Sequence, residues 1–218
     1  STINRRIAAL RYVVRATRRA GLIGWTVDVQ GVPCKGIRDT RGPGQEAMQA
    51  MLAGETDPRR LLVLRLLHDM ALRRQEVVNL TMADVETGDA PRLWVWGKGK
   101  HEKLPLTMPP TVREAIDKWL FYRSRNPGSL IGWSYGHIAN IVKQAARQAN
   151  VSTTHAHGLR HSAITTALEL TNGNVRQVQR FARHSKSETT ALYDDARTDA
   201  YGTIAAMVGN GAKQGGER

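Results

Sequence analysis

The sequence predicts a mainly α-helical domain with one small antiparallel β-sheet, an α+β fold. Three observations carry this. Apolar residues recur at helical spacing in several separate stretches, one short segment alternates as a strand does, and glycine-rich or polar breaks separate them. The chain has 218 residues and is 41% hydrophobic, enough for one sizeable core and a small appendage. Cys34 is the sole cysteine, which excludes a disulfide-stapled scaffold. No apolar run of about 18 residues exists, which argues against a membrane protein. Lysine and arginine number 32 against 19 acidic residues, and the resulting +13 favours a polyanionic partner, above all nucleic acid.

Taken in order, Ile3, Ile7, Leu10 and Val14 form one helical stripe, with Ser1 or Thr2 as N-cap and Gly21 and Gly24 beyond its end. From Trp25 to Gly44 no period is sustained and glycines and prolines interrupt, so a linker is expected over residues 25–44. A helix is expected from Gln45 to about Ala53. Another opens at Pro58, and its Leu61–Leu67 run is apolar nearly all round, the mark of a buried helix. A further helical stretch carries Glu76, Val77, Val78 and Leu80. The period then changes. Leu93–Trp96 and Glu102–Leu106 read as two strands joined by a turn at Gly97–Lys100. Thr111 and Glu114 have the spacing of a capping box for the next helix. Helices are expected at Ser134–Gln148, Leu159–Leu170, Asn174–Ala182, Glu188–Tyr193 and Thr198–Val208. Residues 209–218 are glycine-rich and polar, and read as a flexible tail. No hydrophobic leader follows the first charges, so a cytoplasmic setting is expected. Without an initiator methionine, the chain reads as a processed fragment.

Four segments carry chemistry-bearing residues: Leu72-Arg73-Arg74-Gln75-Glu76, Gly97-Lys98-Gly99-Lys100, His155-Ala156-His157-Gly158-Leu159-Arg160-His161, and Arg183-His184 with Tyr193. Singly, each has an ordinary explanation: a solvated arginine paired with Glu76, a hairpin tip, a histidine cluster, a half-buried aromatic. The three histidines invite a metal, but no H-E-x-x-H pattern, partner cysteine or nearby carboxylate accompanies them. A histidine three residues before an arginine can instead point, with it, at a phosphate.

The ordered set Arg73, Lys98, His157-x-x-Arg160, His184 and Tyr193 resembles the tyrosine recombinase (phage integrase) family over residues 45–208, the span of that family's catalytic domain. The resemblance implies that Tyr193 is the nucleophile and that Arg73 and Arg160 hold the scissile phosphate. His157 and His184 stand beside it, Lys98 is the general acid, and Glu76 supports Arg73. Residues 1–24 resemble the last helix of the DNA-clamping domain. Arg5, Arg6, Arg74, Lys100 and His161 are expected to contact DNA. The implied activity is site-specific breakage and rejoining of double-stranded DNA through a 3′-phosphotyrosyl intermediate, with no metal and no cofactor. Four protomers would act on two duplexes from a monomer in free solution, with accessory DNA-bending proteins as further partners. The setting would be bacterial or that of a mobile element, at the nucleoid and off the membrane. The helix at Thr198–Val208 would dock on a neighbouring subunit or on its own domain. Two alternatives remain: a type IB topoisomerase that only relaxes DNA, and a DNA-binding module of the same fold without catalysis. The sequence departs from the family pattern at Arg183, where glycine is usual before the histidine. It also departs at Ala156, where proline is common, and at Arg74-Gln75, where the usual pair is small or apolar.

Overall fold

The computed structural model describes residues 2–32, 42–97, 101–123, 126–151, 154–184 and 190. They belong to two compact units, Ser1–Asp39 and Thr40–Arg218. In the first, α1 (Thr2–Arg19) is the expected amphipathic helix, and the chain turns at Gly21 with φ +73°. Part of the stretch read as a linker folds back on it. The Asn4 amide donates to the Val32 carbonyl at 3.0 Å and accepts from the Val32 N–H at 2.9 Å, and Arg11 donates to the Val29 carbonyl. Within the stripe only Val14 is buried; Ile3 and Leu10 stay exposed, because a lone helix and one extended segment supply no second layer.

The second unit is built around α3 (Pro58–His68), whose Leu62, Val63, Leu64, Leu66 and Leu67 are all fully buried. Its start is fixed by Asp57, which accepts from the N–H groups of Arg59 and Arg60, with Pro58 in the first turn. Around it lie α2 (Gln45–Ala53), α5 (Pro110–Arg123) and α7 (Ala156–Leu170), with α4 (Arg74–Asn79) and α6 (Tyr135–Gln148) completing the core. A second, smaller cluster joins α7 to α8 (Val175–Ala182) through Ile164, Leu168, Val178 and Ala182. An apolar helix covered on every side fixes the elements that pack on it, and here it fixes where α7 and the start of α4 lie.

The sheet is antiparallel, in the order β1 (Val85–Glu86), β2 (Arg92–Trp96), β3 (Lys103–Thr107). In the central strand Leu93 and Val95 point inward and are buried, as the period of two requires. Pro105 is tolerated because β3 is an edge strand. The two-residue β1 was not legible in the sequence: it is too short to show a period.

Three expectations need correction. Thr111 does not cap α5. The helix already begins at Pro110, and the Thr111 hydroxyl donates to Asp69 at 2.7 Å. The helix expected from Leu159 starts three residues earlier, because the His155 ring caps it by accepting from the Gly158 N–H at 2.8 Å. The returning strand begins at Lys103, paired with Trp96, so the connection spans 97–102 and is longer than a Gly97–Lys100 turn. Of the segment expected to be helical at Glu188–Tyr193, Thr190 is described, and it is helical and buried. The helix expected at Thr198–Val208 and the tail lie outside the described residues.

The end of the supposed linker is docked on α7. A Cβ on Gly42 would lie 1.9 Å from the Gly158 carbonyl oxygen and 2.7 Å from the Ser162 nitrogen, and the Ser162 hydroxyl donates to the Pro43 carbonyl at 2.7 Å. Gly42→Ala should therefore push this segment off α7 at a cost of about 1–3 kcal/mol. Thermal melting should show Tm lower by several degrees, at about 2–4 °C per kcal/mol. An unchanged Tm would mean the segment does not pack there.

Candidate active site

The site forms where four helix ends meet, those of α3, α4, α7 and α8. The chain leaves α3 through Ala71, a non-glycine residue at φ 45°, and the Leu72 N–H donates back to the Leu66 carbonyl at 3.1 Å. Arg73 then serves as the N-cap of α4 in extended conformation. Its N–H donates to Glu76 Oε2 at 2.8 Å and its Nη1 to Glu76 Oε1 at 2.7 Å. Glu76 is 6% exposed, so this carboxylate is a buried anchor for Arg73 and not a solvated neighbour.

The first two turns of α7 supply His157, Arg160 and His161. Gly158 is required there: a Cβ would lie 2.7 Å from Thr154 Oγ1 and 3.1 Å from His155 Nδ1, the atom that caps the helix. Arg160 is 1% exposed. Its Nη1 donates to the Ala71 carbonyl and its Nη2 to the Ala182 carbonyl. It thereby joins the end of α3 to the carbonyl end of α8, the negative pole of that short helix.

That helix ends in a Schellman turn. The Arg183 N–H donates to the Arg180 carbonyl and the His184 N–H to the Gln179 carbonyl, both at 3.1 Å, with Arg183 left-handed at φ 55°. Glycine suits such a position, which explains why arginine stands out there in the sequence. His184, the next residue, pairs through Nδ1 with the Thr190 hydroxyl at 2.9 Å. Arg73 Nη2 donates to the Arg183 carbonyl at 3.3 Å.

Arg73, Glu76, His157, Arg160 and His184 are thus brought together from distant parts of the sequence. The gathering of cations is felt by the histidines. Desolvation lowers the pKa of His184 to about 4, helped by the charges of Arg160, Arg73 and Arg183. His161 is lowered to about 4 by burial and then by His157, His155 and Arg160. His157 is lowered by loss of solvent, then by Arg160, His155 and Arg73. His161 and His184 are therefore uncharged at neutral pH, and the downward shift of His157 favours its neutral form too.

Lys98, Lys100 and Tyr193 lie outside the described residues. On the hairpin, Lys103 is committed elsewhere: it is paired with Asp84. Burial would raise the pKa of that carboxyl, but the Lys103 bond and the Thr81 N–H and hydroxyl outweigh it and hold it low. The Arg74 guanidinium lies 3.4 Å over the Tyr135 ring, at a half-exposed position beside Arg73. Arg5 and Arg6 are exposed on α1, in the other unit. Sequence reasoning passed over two members of the site. Arg183 was visible only as a departure from glycine, and Thr190 is an ordinary threonine that gave no signal. Among the described residues no group of three or more histidine, cysteine or acidic side chains could hold a metal ion. No described helix is long and apolar enough to cross a membrane.

The family model described as the phage integrase family matches residues 44–199. A tyrosine recombinase of Synechococcus elongatus is 38% identical over 93% of this chain and 69% of its own length. One from Synechocystis is 35% identical over 90% of this chain and 69% of its own. Among solved structures, the XerH site-specific recombinase bound to its difH substrate superposes with a TM-score of 0.67 at 18% identity, covering 88% of this chain and 61% of that one. A lambda integrase tetramer bound to a Holliday junction gives 0.63 at 15%, covering 85% and 57%. At such identities the structures show a shared fold. The chain spans about two thirds of the length of these proteins.

The neutral histidines set a pH dependence. In the unfolded chain they titrate near their ordinary value of about 6.5. In the fold His161 and His184 titrate at about 4, and His157 is shifted the same way. The unfolded state therefore binds more protons in this window. Their contribution is complete above about 6.5 and is lost as pH falls from there toward 4. Melting temperatures across that range should decline, and His161→Gln should flatten the decline. An equal slope in the variant would remove His161 from the set.

Proposed function

Because the chain belongs to the phage integrase family, the tyrosine recombinases, we propose that it breaks and rejoins DNA at specific sites with the residues gathered here. The observation that carries this is the convergence of Arg73 and Arg160 on one point beside His157 and His184. A phosphodiester resists attack because its oxygens are already negative. Two guanidinium groups donate to the non-bridging oxygens, and more strongly as charge builds in the pentacoordinate transition state. The Ala71 and Ala182 carbonyls hold the Arg160 guanidinium in place for this.

Tyr193 is the nucleophile in this reading. Its oxygen forms the new bond to phosphorus as the bond to the 5′-oxygen breaks, which leaves a 3′-phosphotyrosyl link and a free 5′-hydroxyl. A phenol with a pKa of about 10 must lose its proton as it attacks. The neutral imidazole of His157 supports the reading that a histidine takes it. Lys98 delivers a proton to the leaving 5′-oxygen. The engagement of Lys103 with Asp84 supports this choice of lysine. The link conserves the energy of the broken bond, so a second 5′-hydroxyl reseals it without metal or ATP.

Double-stranded DNA is the partner. The +13 charge and the DNA bound to the structural relatives support it, and the Holliday-junction tetramer of lambda integrase supports a synapse of four protomers. Phosphate contacts by Arg74 on its Tyr135 platform, and by Arg5 and Arg6, would make affinity fall steeply with salt. The arginines of α1, at 5, 6, 11, 15, 18 and 19, support it as part of a DNA-clamping domain.

The test is covalent capture from a library of nicked duplexes with a randomised core, in which the short cleaved strand diffuses away. The native chain should yield protein-linked DNA that survives denaturation, and the linked sequences identify its target. Tyr193→Phe should yield none. Equal capture by both would remove Tyr193 from the nucleophile's role.

A further inference from the structure

Arg183 occupies a position that the backbone reserves for glycine, yet its side chain is almost wholly used. The residue is left-handed, at φ 55° and ψ 42°, where a Cβ is unfavourable. Its guanidinium crosses from the end of α8 to the junction of α3 and α4, and the side chain is 10% exposed. Nη1 donates to the carbonyls of Met70 at 3.2 Å and Phe181 at 3.3 Å. Nη2 donates to the Ala71 carbonyl and to Glu76 Oε2, both at 3.0 Å. Glu76 already accepts from Arg73 through Oε1 and through Oε2. In return the carbonyl of Arg183 accepts from Arg73. Arg73, Glu76 and residue 183 therefore close a ring of hydrogen bonds, and His184 is the next residue in the chain.

Resting on the recombinase reading above, we propose that Arg183 is a positioning residue for phosphoryl transfer, a third guanidinium that acts through Arg73, Glu76 and His184 and does not touch the DNA. Two consequences follow from the geometry. The ring holds the Arg73 side chain at both ends, because Nη1 is fixed by Glu76 and Nη2 by the Arg183 carbonyl. It also divides one carboxylate between two cations. Were Arg183 absent, Glu76 would neutralise Arg73 alone, and Arg73 would stabilise a charged transition state less. A small misplacement of a phosphate-binding group is costly, because the reaction depends on aligned oxygens.

The test uses the full chain and the duplex selected by covalent capture. Arg183→Met keeps the apolar stem and removes the donors and the charge. Arg183→Lys keeps the charge. Arg183→Gly relaxes the left-handed backbone. At saturating duplex, the single-turnover rate of covalent-complex formation should fall about 10- to 100-fold in the Met and Gly variants. Duplex affinity should stay within about twofold, since these groups act in the transition state. The Lys variant should be intermediate, and guanidinium ion at millimolar concentration should restore the Gly variant more than the Met variant. Melting curves correct each rate for the folded fraction. Unchanged rates would overturn the proposal. So would a loss that appears only as weaker binding, or a corrected rate equal to native. The native chain is the control for the underlying reading: if it captures no DNA, the recombinase assignment fails, and if it does while all variants match it, only the role of Arg183 fails.

Discussion

A cation in a protein interior must find acceptors, because an unpaired buried charge costs several kcal/mol. Arg160, at 1% exposure, meets that demand with two backbone carbonyls, those of Ala71 and Ala182. Both carbonyls lie at places where a helix has just ended and its last oxygens lack intrahelical partners. One guanidinium thus ties the exits of α3 and α8 to the start of α7. The apolar α3 decides where Ala71 lies, and the close approach at Gly158 lets α7 begin at its histidine cap. The candidate site is the product of these terminations. It is not a pocket laid on a finished fold.

The same arrangement creates an electrostatic imbalance. Arg73, Arg160 and Arg183 converge, and Glu76 is the carboxylate that Arg73 and Arg183 share. The histidines register it: loss of solvent first, and then these cations, hold them in their neutral form. A site of this kind is prepared for an anion before one arrives. A bound phosphate would relieve the repulsion among the guanidiniums and make the neighbouring imidazoles more basic. On the proposed function, binding and proton transfer would then be coupled by the charge of the substrate.

Much of this was legible in the sequence, and the exceptions have physical causes. The long helices showed their periods, and α3 announced itself by being apolar all round. Arg73, Glu76, His157, Arg160 and His184 were recognisable from their order and meet in space. The two-residue β1 carried no pattern. Thr111 had the right spacing for a cap but is drawn to Asp69, a tertiary partner that local rules do not see. The start of α7 was placed late because a histidine ring, not a serine or aspartate, caps it. Arg183 looked like a flaw in a turn. Only the fold brings Glu76 and the Ala71 carbonyl to its guanidinium. The lysines at 98 and 100 and Tyr193 rest on sequence order, with Thr190 beside His184 as the described point nearest the tyrosine.

The prepared cation cluster can be read through the rings of His157 and His184. In the Tyr193→Phe chain, which should bind without cleaving, NMR titration should place both below their ordinary range when the protein is free. A duplex with a normal phosphodiester at the cleavage position should raise both values. The same duplex with an uncharged methylphosphonate there should raise them clearly less. Equal shifts with the two duplexes, or none with either, would mean that the arginines and histidines do not surround the reacting phosphate.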